Sequence, residues 1–131
     1  MAKAIHSMIR VFNLDRSLQF YKTALDLDIA DRFDFDGFSL VYLRNEENDF
    51  ELELTHNHSQ EEPYTHGTGY GHLAACVDNV KETREKLISE GMEPAEIKEF
   101  FREGSLLARF FFMTDPDGYK IEFLEKLNRY R

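Results

Sequence analysis

A single cysteine, Cys76, stands in 131 residues, so no disulfide can form within the chain and a reducing compartment is the expectation. Basic residues are scarce: 16 Lys and Arg against 25 Asp and Glu leave a net charge of −9. That balance argues against nucleic acid or an anionic membrane surface as a general partner. No apolar run approaches the length of a membrane span, and the opening Met-Ala-Lys-Ala-Ile-His carries no apolar signal core. The expectation is a cytoplasmic protein with no nucleic-acid and no membrane partner. What the chain does have is apolar content, 42% hydrophobic and 14% aromatic with twelve Phe, enough to bury a core in one domain over residues 1–131.

Two His and two Glu form a matched set: His72 follows His6 by 66 positions, and Glu122 follows Glu53 by 69. Each lies in a short segment where apolar and polar residues alternate. Side chains along a strand point to opposite faces in turn. Ile5-His6-Ser-Met-Ile-Arg10-Val11 therefore puts His6, Met8 and Arg10 opposite Ile5, Ile9 and Val11. Phe50-Glu51-Leu-Glu53-Leu-Thr55 likewise sets Glu51, Glu53 and Thr55 against Phe50, Leu52 and Leu54. The segments from His72 to Val77 and from Tyr119 to Leu124 follow the same scheme.

The surrounding pattern is one unit written twice. After the first strand, Leu14, Leu18, Tyr21 and Leu25 recur at helical spacing, with Asn13 or Asp15 as the cap. Asp36-Gly37 splits two strands as a hairpin signal, and the Glu53 strand follows. The second half starts with the His72 strand, then a helix near Asn79 with Glu82 placed for a capping box. Val80, Leu87 and Ile88 form its apolar stripe, and Gly91 with Pro94 ends it. Ala95 to Phe101 reads as irregular, Leu106 to Met113 as a strand, and Asp115-Pro-Asp-Gly118 as the turn into the Glu122 strand. The fold expected is α+β: two βαβββ modules, residues 4–58 and 69–126, joined by a polar connector at 59–68 and forming a curved mixed sheet around a metal cavity.

His6, Glu53, His72 and Glu122 offer two nitrogen and two oxygen ligands, a set suited to Ni²⁺, Co²⁺, Zn²⁺, Fe²⁺ or Mn²⁺. On an octahedral ion, four ligands leave two positions for substrate oxygens. Stabilising the enediolate formed when a proton leaves carbon α to a carbonyl is the chemistry this suggests. One of the carboxylates can serve as the base. Arg10, on the His6 face, is the candidate for an anionic substrate group, and Asn57 shares the parity of Glu53. His56, His58 and His66 read as exposed loop histidines, and Cys76 as packing. Phe110-Phe111-Phe112, with Phe33, Phe35 and Phe38, reads as core with one ring lining the pocket.

Ile5-His6-Ser-Met-Ile-Arg10-Val, Leu18-Gln-Phe-Tyr21, Glu53-Leu-Thr-His-Asn57, Gly69-Tyr-Gly-His72 and Asp115-Pro-Asp-Gly-Tyr-Lys-Ile-Glu122 together resemble the glyoxalase I (lactoylglutathione lyase) family of the vicinal-oxygen-chelate superfamily. The resemblance runs through nearly the whole chain in order. It implies a homodimer with metal sites at the subunit interface and isomerisation of the methylglyoxal–glutathione hemithioacetal to S-lactoylglutathione. It further implies that Glu122 transfers the proton, that Glu53 can share that work, and that Arg10 and Asn57 contact glutathione. The short length looks like bacterial forms that favour Ni²⁺ or Co²⁺ over Zn²⁺, one ion per site. Asp26 stands where the family usually has Gly after the first helix, and Thr68 where longer eukaryotic members carry a substrate-binding Arg. Arg102 to Arg109 also differs from the family's Lys-Gly-rich loop, so the resemblance carries the isomerase chemistry further than the identity of the thiol. Glu at position 53 separates this chain from related extradiol dioxygenases, thiol transferases and methylmalonyl-CoA epimerases. Another metal-dependent enzyme of the superfamily ranks second, and a non-catalytic small-ligand-binding protein third.

Overall fold

The computed structural model describes all residues, 1–131, as two units, Met1–Gly67 and Thr68–Arg131. The first contains β1 (His6–Arg10), α1 (Leu14–Leu25), β2 (Asp28–Phe35), β3 (Phe38–Arg44) and β4 (Glu51–Asn57). The second contains β5 (His72–Val77), α2 (Val80–Ser89), β6 (Lys98–Arg102), β7 (Ser105–Thr114) and β8 (Lys120–Glu125). Each unit is βαβββ, and each has its own four-stranded mixed sheet, in orders β1-β4-β3-β2 and β5-β8-β7-β6. The first and last strands of each unit pair in parallel, and the remaining pairs are antiparallel. The segment expected to be irregular, 95–101, thus contains most of a real strand, β6. Its alternation is broken by a bulge between Phe100 and Phe101, and every one of its residues is exposed.

In the first unit the core gathers Ile9, Val11, Val41, Leu43, Leu52 and Leu54 from one face of the sheet, with Leu14, Phe20, Tyr21 and Ala24 from α1. The buried stripe of α1 runs through Ser17, which is fully enclosed, while Leu18 and Leu25 only flank it. A pattern built on large apolar residues passes over that serine. Ile5 and Phe50, just outside β1 and β4, stay exposed. The second unit buries Val80, Leu87, Phe111, Met113, Ile121 and Phe123, with the Phe111 and Phe123 rings stacked at 4.8 Å. Ile88 is 47% exposed, so the stripe of α2 is narrower than expected. On the opposite face of this sheet, Ala108, Phe110 and Leu124 form a small cluster against which Phe112 and Tyr130 pack.

The caps explain where the helices start. Asn13 accepts a hydrogen bond from the Arg16 amide and Asn79 from the Glu82 amide, both at 3.0 Å. Both helices are followed by a left-handed residue, Asp26 at φ 53° and Gly91 at φ 84°. At the Asp36-Gly37 hairpin only Gly37 has positive φ, so this is not the I′ turn that Asp-Gly often forms. That signature appears instead at Glu103-Gly104, where both residues have positive φ between paired Arg102 and Ser105.

Asp26 has a side chain in a backbone conformation that suits glycine. Asp26→Gly should stabilise the fold by about 0.5–1 kcal/mol and raise Tm by roughly 2–4 °C, read by thermal unfolding. Lys22 loses Asp26 as a partner in that variant but keeps Asp28 at 2.9 Å. An unchanged or lower Tm would show that the Lys22 contact outweighs the backbone strain. A second expectation concerns Asp34, whose carboxyl is held below the usual carboxylate range, first by the Ser39 hydroxyl and then by Arg32, against desolvation. A depressed carboxylate stabilises the fold above its unfolded pKa near 4, and that contribution fades as pH falls through the lower native value. Ser39→Ala should move the Asp34 titration upward in carboxyl NMR.

Candidate metal centre

The parallel pairing of β1 with β4 sets His6 opposite Glu51 and Met8 opposite Glu53, so His6 and Glu53 sit diagonally on one face. His6 Nε2 lies 3.0 Å from Glu53 Oε1. The pairing of β5 with β8 repeats this register: His72 opposite Lys120, Ala74 opposite Glu122. His72 Nε2 is 3.6 Å from Glu122 Oε2. In both pairs the carboxylate is largely shielded and the imidazole is more than a third exposed, so the ring nitrogens remain reachable from solvent. Each half thus delivers one nitrogen and one oxygen donor side by side. Neither half gathers three or more His, Cys, Asp or Glu side chains in a group able to hold a metal ion alone.

An aromatic ring stands edge-on to each imidazole. Tyr42 meets His6 with ring centroids 5.7 Å apart, and Phe112 meets His72 at 5.2 Å. These rings occupy matching places, since Tyr42 is the cross-strand partner of Glu53 on β3 and Phe112 that of Glu122 on β7. The two surroundings differ in chemistry. The Tyr42 phenol has its pKa raised, first by burial and then by the Glu53 carboxylate, to which its hydroxyl donates a hydrogen bond. Thr55 adds a second hydroxyl, donating to Glu53 Oε2 at 3.4 Å. Phe112 and Leu124 hold the equivalent positions around Glu122, and neither carries a hydroxyl.

The same face of the first sheet carries Arg10, opposite Thr55, and Asn57, since β4 continues through Asn57. The Asn57 amide donates to the Tyr64 hydroxyl at 3.1 Å. Phe33, Phe35 and Phe38 also belong to this face and are 45%, 50% and 36% exposed. They are exposed apolar surface, in place of the core role that their aromatic character suggests. Phe110 and Phe111 are buried as expected. His56 lies within β4 and is half-buried, with Nδ1 3.4 Å from the Val11 carbonyl, so it is no loop residue. His58 is exposed, and its Nε2 lies 2.8 Å from Ser39 Oγ. The Ser39 hydroxyl donates to Asp34 at 2.5 Å, which leaves His58 as the donor in the second bond. Cys76 is half-buried and free. Tyr42 and Phe112 escape a reading of the sequence alone, because their relation to the carboxylates appears only once strand register is known, whereas alternation within β4 already puts Thr55 on the Glu53 face.

No helix is long and apolar enough to cross a membrane. The model of the Glyoxalase/Bleomycin resistance protein/Dioxygenase superfamily matches residues 3–123. The chain is 37% identical over 128 residues to the lactoylglutathione lyase of Neisseria meningitidis serogroup A, covering 95% of this chain and 91% of that one. It is 36% identical over 125 residues to the lactoylglutathione lyase of Haemophilus influenzae, covering 92% and 90%. Among solved structures, the trypanothione-dependent glyoxalase I of Leishmania major is similar with a TM-score of 0.76 and 34% identity, over 96% of this chain and 88% of that one. With its paired βαβββ units and a family match over nearly its whole length, the chain belongs to the glyoxalase/bleomycin resistance protein/dioxygenase superfamily.

Proposed function

We propose that this protein is a lactoylglutathione lyase, an isomerase that converts the methylglyoxal–glutathione hemithioacetal to S-lactoylglutathione. The observation that carries the reading is the register-matched His–Glu pair in each half of a chain 36–37% identical to proteins of that name. The family implies a divalent metal, and the donors fit one: two imidazoles and two carboxylates suit a borderline ion. His6, Glu53, His72 and Glu122 would hold one ion per site, Ni²⁺ or Co²⁺ ahead of Zn²⁺. Each half carries one His–Glu pair, so a four-donor site draws on both kinds of pair, and the assembly proposed, as the family resemblance implies, is a homodimer. The lone cysteine supports a cytoplasmic setting.

When bound, the ion supplies Lewis-acid stabilisation of negative charge developing on the substrate's two oxygens. The protein moves one proton. Glu122 takes it from the carbon bearing sulfur and hydroxyl and returns it to the adjacent carbon, while the hydroxyl proton is lost to solvent and the former carbonyl oxygen takes one up, so the carbonyl shifts by one position and no atom is gained or lost. Glu53 is the matching carboxylate that can share this work. Arg10 pairs with an anionic group of the thiol, and Asn57 offers its amide beside it. Phe33, Phe35 and Phe38 line the same face with apolar surface and keep water from competing for the reacting atoms.

Chelation should abolish activity on the hemithioacetal, and Ni²⁺ or Co²⁺ should restore more of it than Zn²⁺. The assay runs with glutathione and with trypanothione as thiol, since the Leishmania relative is described as dependent on the latter. No product above background with Ni²⁺, Co²⁺, Mn²⁺ or Zn²⁺ would turn the reading to another enzyme of the superfamily. In the metal-loaded protein, Glu122→Gln should lower kcat by at least about 100-fold while retaining binding of a substrate analogue. Arg10→Ala should chiefly raise KM. Near wild-type kcat in the Glu122 variant would leave Glu53 as the base.

A further inference from the structure

The two carboxylates occupy equivalent places in a duplicated unit, yet their neighbours differ in kind. Glu53 is flanked by Tyr42 across the strand, Thr55 two residues on, and Met8 on the parallel strand. Glu122 is flanked at the same positions by Phe112, Leu124 and Ala74. Hydroxyl donors around a carboxylate fix its rotamer and hold its oxygens in place, whereas apolar neighbours supply no such restraint. Ala74 in place of Met8 also leaves more room beside Glu122. The rings themselves share one role, each standing edge-on to its histidine, so the difference in hydrogen-bonding capacity is one phenolic oxygen and one threonine hydroxyl.

We infer that Tyr42, with Thr55, is a positioning residue that ties Glu53 down as a fixed metal ligand, while Phe112 and Leu124 leave Glu122 mobile enough to act as the base. This rests on the lyase reading above and assigns separate jobs to carboxylates that the duplication alone would make equal. A base that alternates between ligation and proton transfer must change its contacts during turnover. A carboxylate that keeps the ion in place must not.

Two exchanges of a single oxygen atom test it. Tyr42→Phe keeps the ring against His6 and removes only the hydroxyl. The apo-protein should then bind Co²⁺ about 10-fold more weakly in a chelator competition, and the Co²⁺ d–d absorption should change as Glu53 ligation loosens. Phe112→Tyr places a hydroxyl beside Glu122. Co²⁺ affinity should be equal or tighter, while kcat falls about 10-fold with KM little changed. Thermal unfolding of both variants in the apo form separates these effects from misfolding. If Phe112→Tyr fails to fold, Leu124→Thr supplies a hydroxyl at the other position and should give the same kcat loss. A Tyr42→Phe protein with wild-type Co²⁺ affinity and spectrum would overturn the assignment, as would a folded Phe112→Tyr or Leu124→Thr protein with wild-type kcat. A wild-type protein without lyase activity would overturn the functional reading instead, and the Co²⁺ titration of Tyr42→Phe would still decide the role of Tyr42.

Discussion

Parallel pairing between the first and last strand of each unit is the constraint on which the site depends. A parallel ladder fixes which residues stand side by side, and a slip of one position would send every side chain to the opposite face. In both units the register sets the His opposite the residue two before the Glu, which brings the pair together diagonally on one face. The same register directs Ile9, Leu52 and Leu54 of the first unit to the core. Burial of those side chains contributes roughly 1.5–3 kcal/mol each, so the hydrophobic pattern holds the donors in place although no donor contributes to it. A slipped ladder would lose the core and the donor pair together. Packing and chemistry are enforced by one geometric choice.

The two faces of the first sheet obey different rules. The face packed with α1 is buried along the middle of the sheet and exposed on the edge strand β2, and the only buried polar residue on β3, Ser39, is hydrogen-bonded to Asp34. On the other face, polar groups and exposed aromatic rings alternate across the strands: Glu53, Thr55 and Arg10 beside Met8, Phe33, Phe35 and Phe38. An apolar surface of this kind around charged groups strengthens their interactions once a ligand displaces water. Exposed rings of this kind are a liability on an ordinary surface and suit a face that takes a ligand, which is the role proposed for it.

Much of this was legible in the residues. Alternation in the four short segments assigned His6, Glu53, His72 and Glu122 to polar strand faces, and side-chain chemistry pointed to the helix cap at Asn79 and narrowed the other to Asn13 or Asp15, of which Asn13 caps α1. Asp26 was readable as a left-handed position because it replaces a glycine after a helix. Three features were hidden. The strand β6 sits at a sheet edge, exposed on both faces and broken by a bulge, so no period-2 burial shaped its sequence. Phe33, Phe35 and Phe38 alternate correctly, but alternation says only that they share a face, and whether that face is core or binding surface is decided by what covers it. Ser17 lies on the buried stripe of α1 because that stripe is defined by packing, which a small polar residue can satisfy.

Duplication explains why the donors come in equal pairs, and it also creates a difficulty that divergence has to resolve. Two copies of one unit supply two carboxylates with the same register, the same neighbouring histidine and the same edge-on ring. Symmetric surroundings would give both the same mobility and the same grip on an ion, and a proton-transfer reaction needs one group that moves and others that stay. The smallest changes able to break that equality are those that add or remove a hydrogen-bond donor without altering the strand frame. Tyr against Phe and Thr against Leu are changes of this type, because each keeps a bulky side chain on a strand that favours aromatic and branched residues. Both positions lie on the face away from the helix core, so the exchanges leave that core untouched, although Leu124 and Phe112 belong to the small cluster around Phe110. Under the roles proposed for Glu53 and Glu122, specialisation of the two halves needs no change of fold, only the gain or loss of a hydroxyl beside each carboxylate.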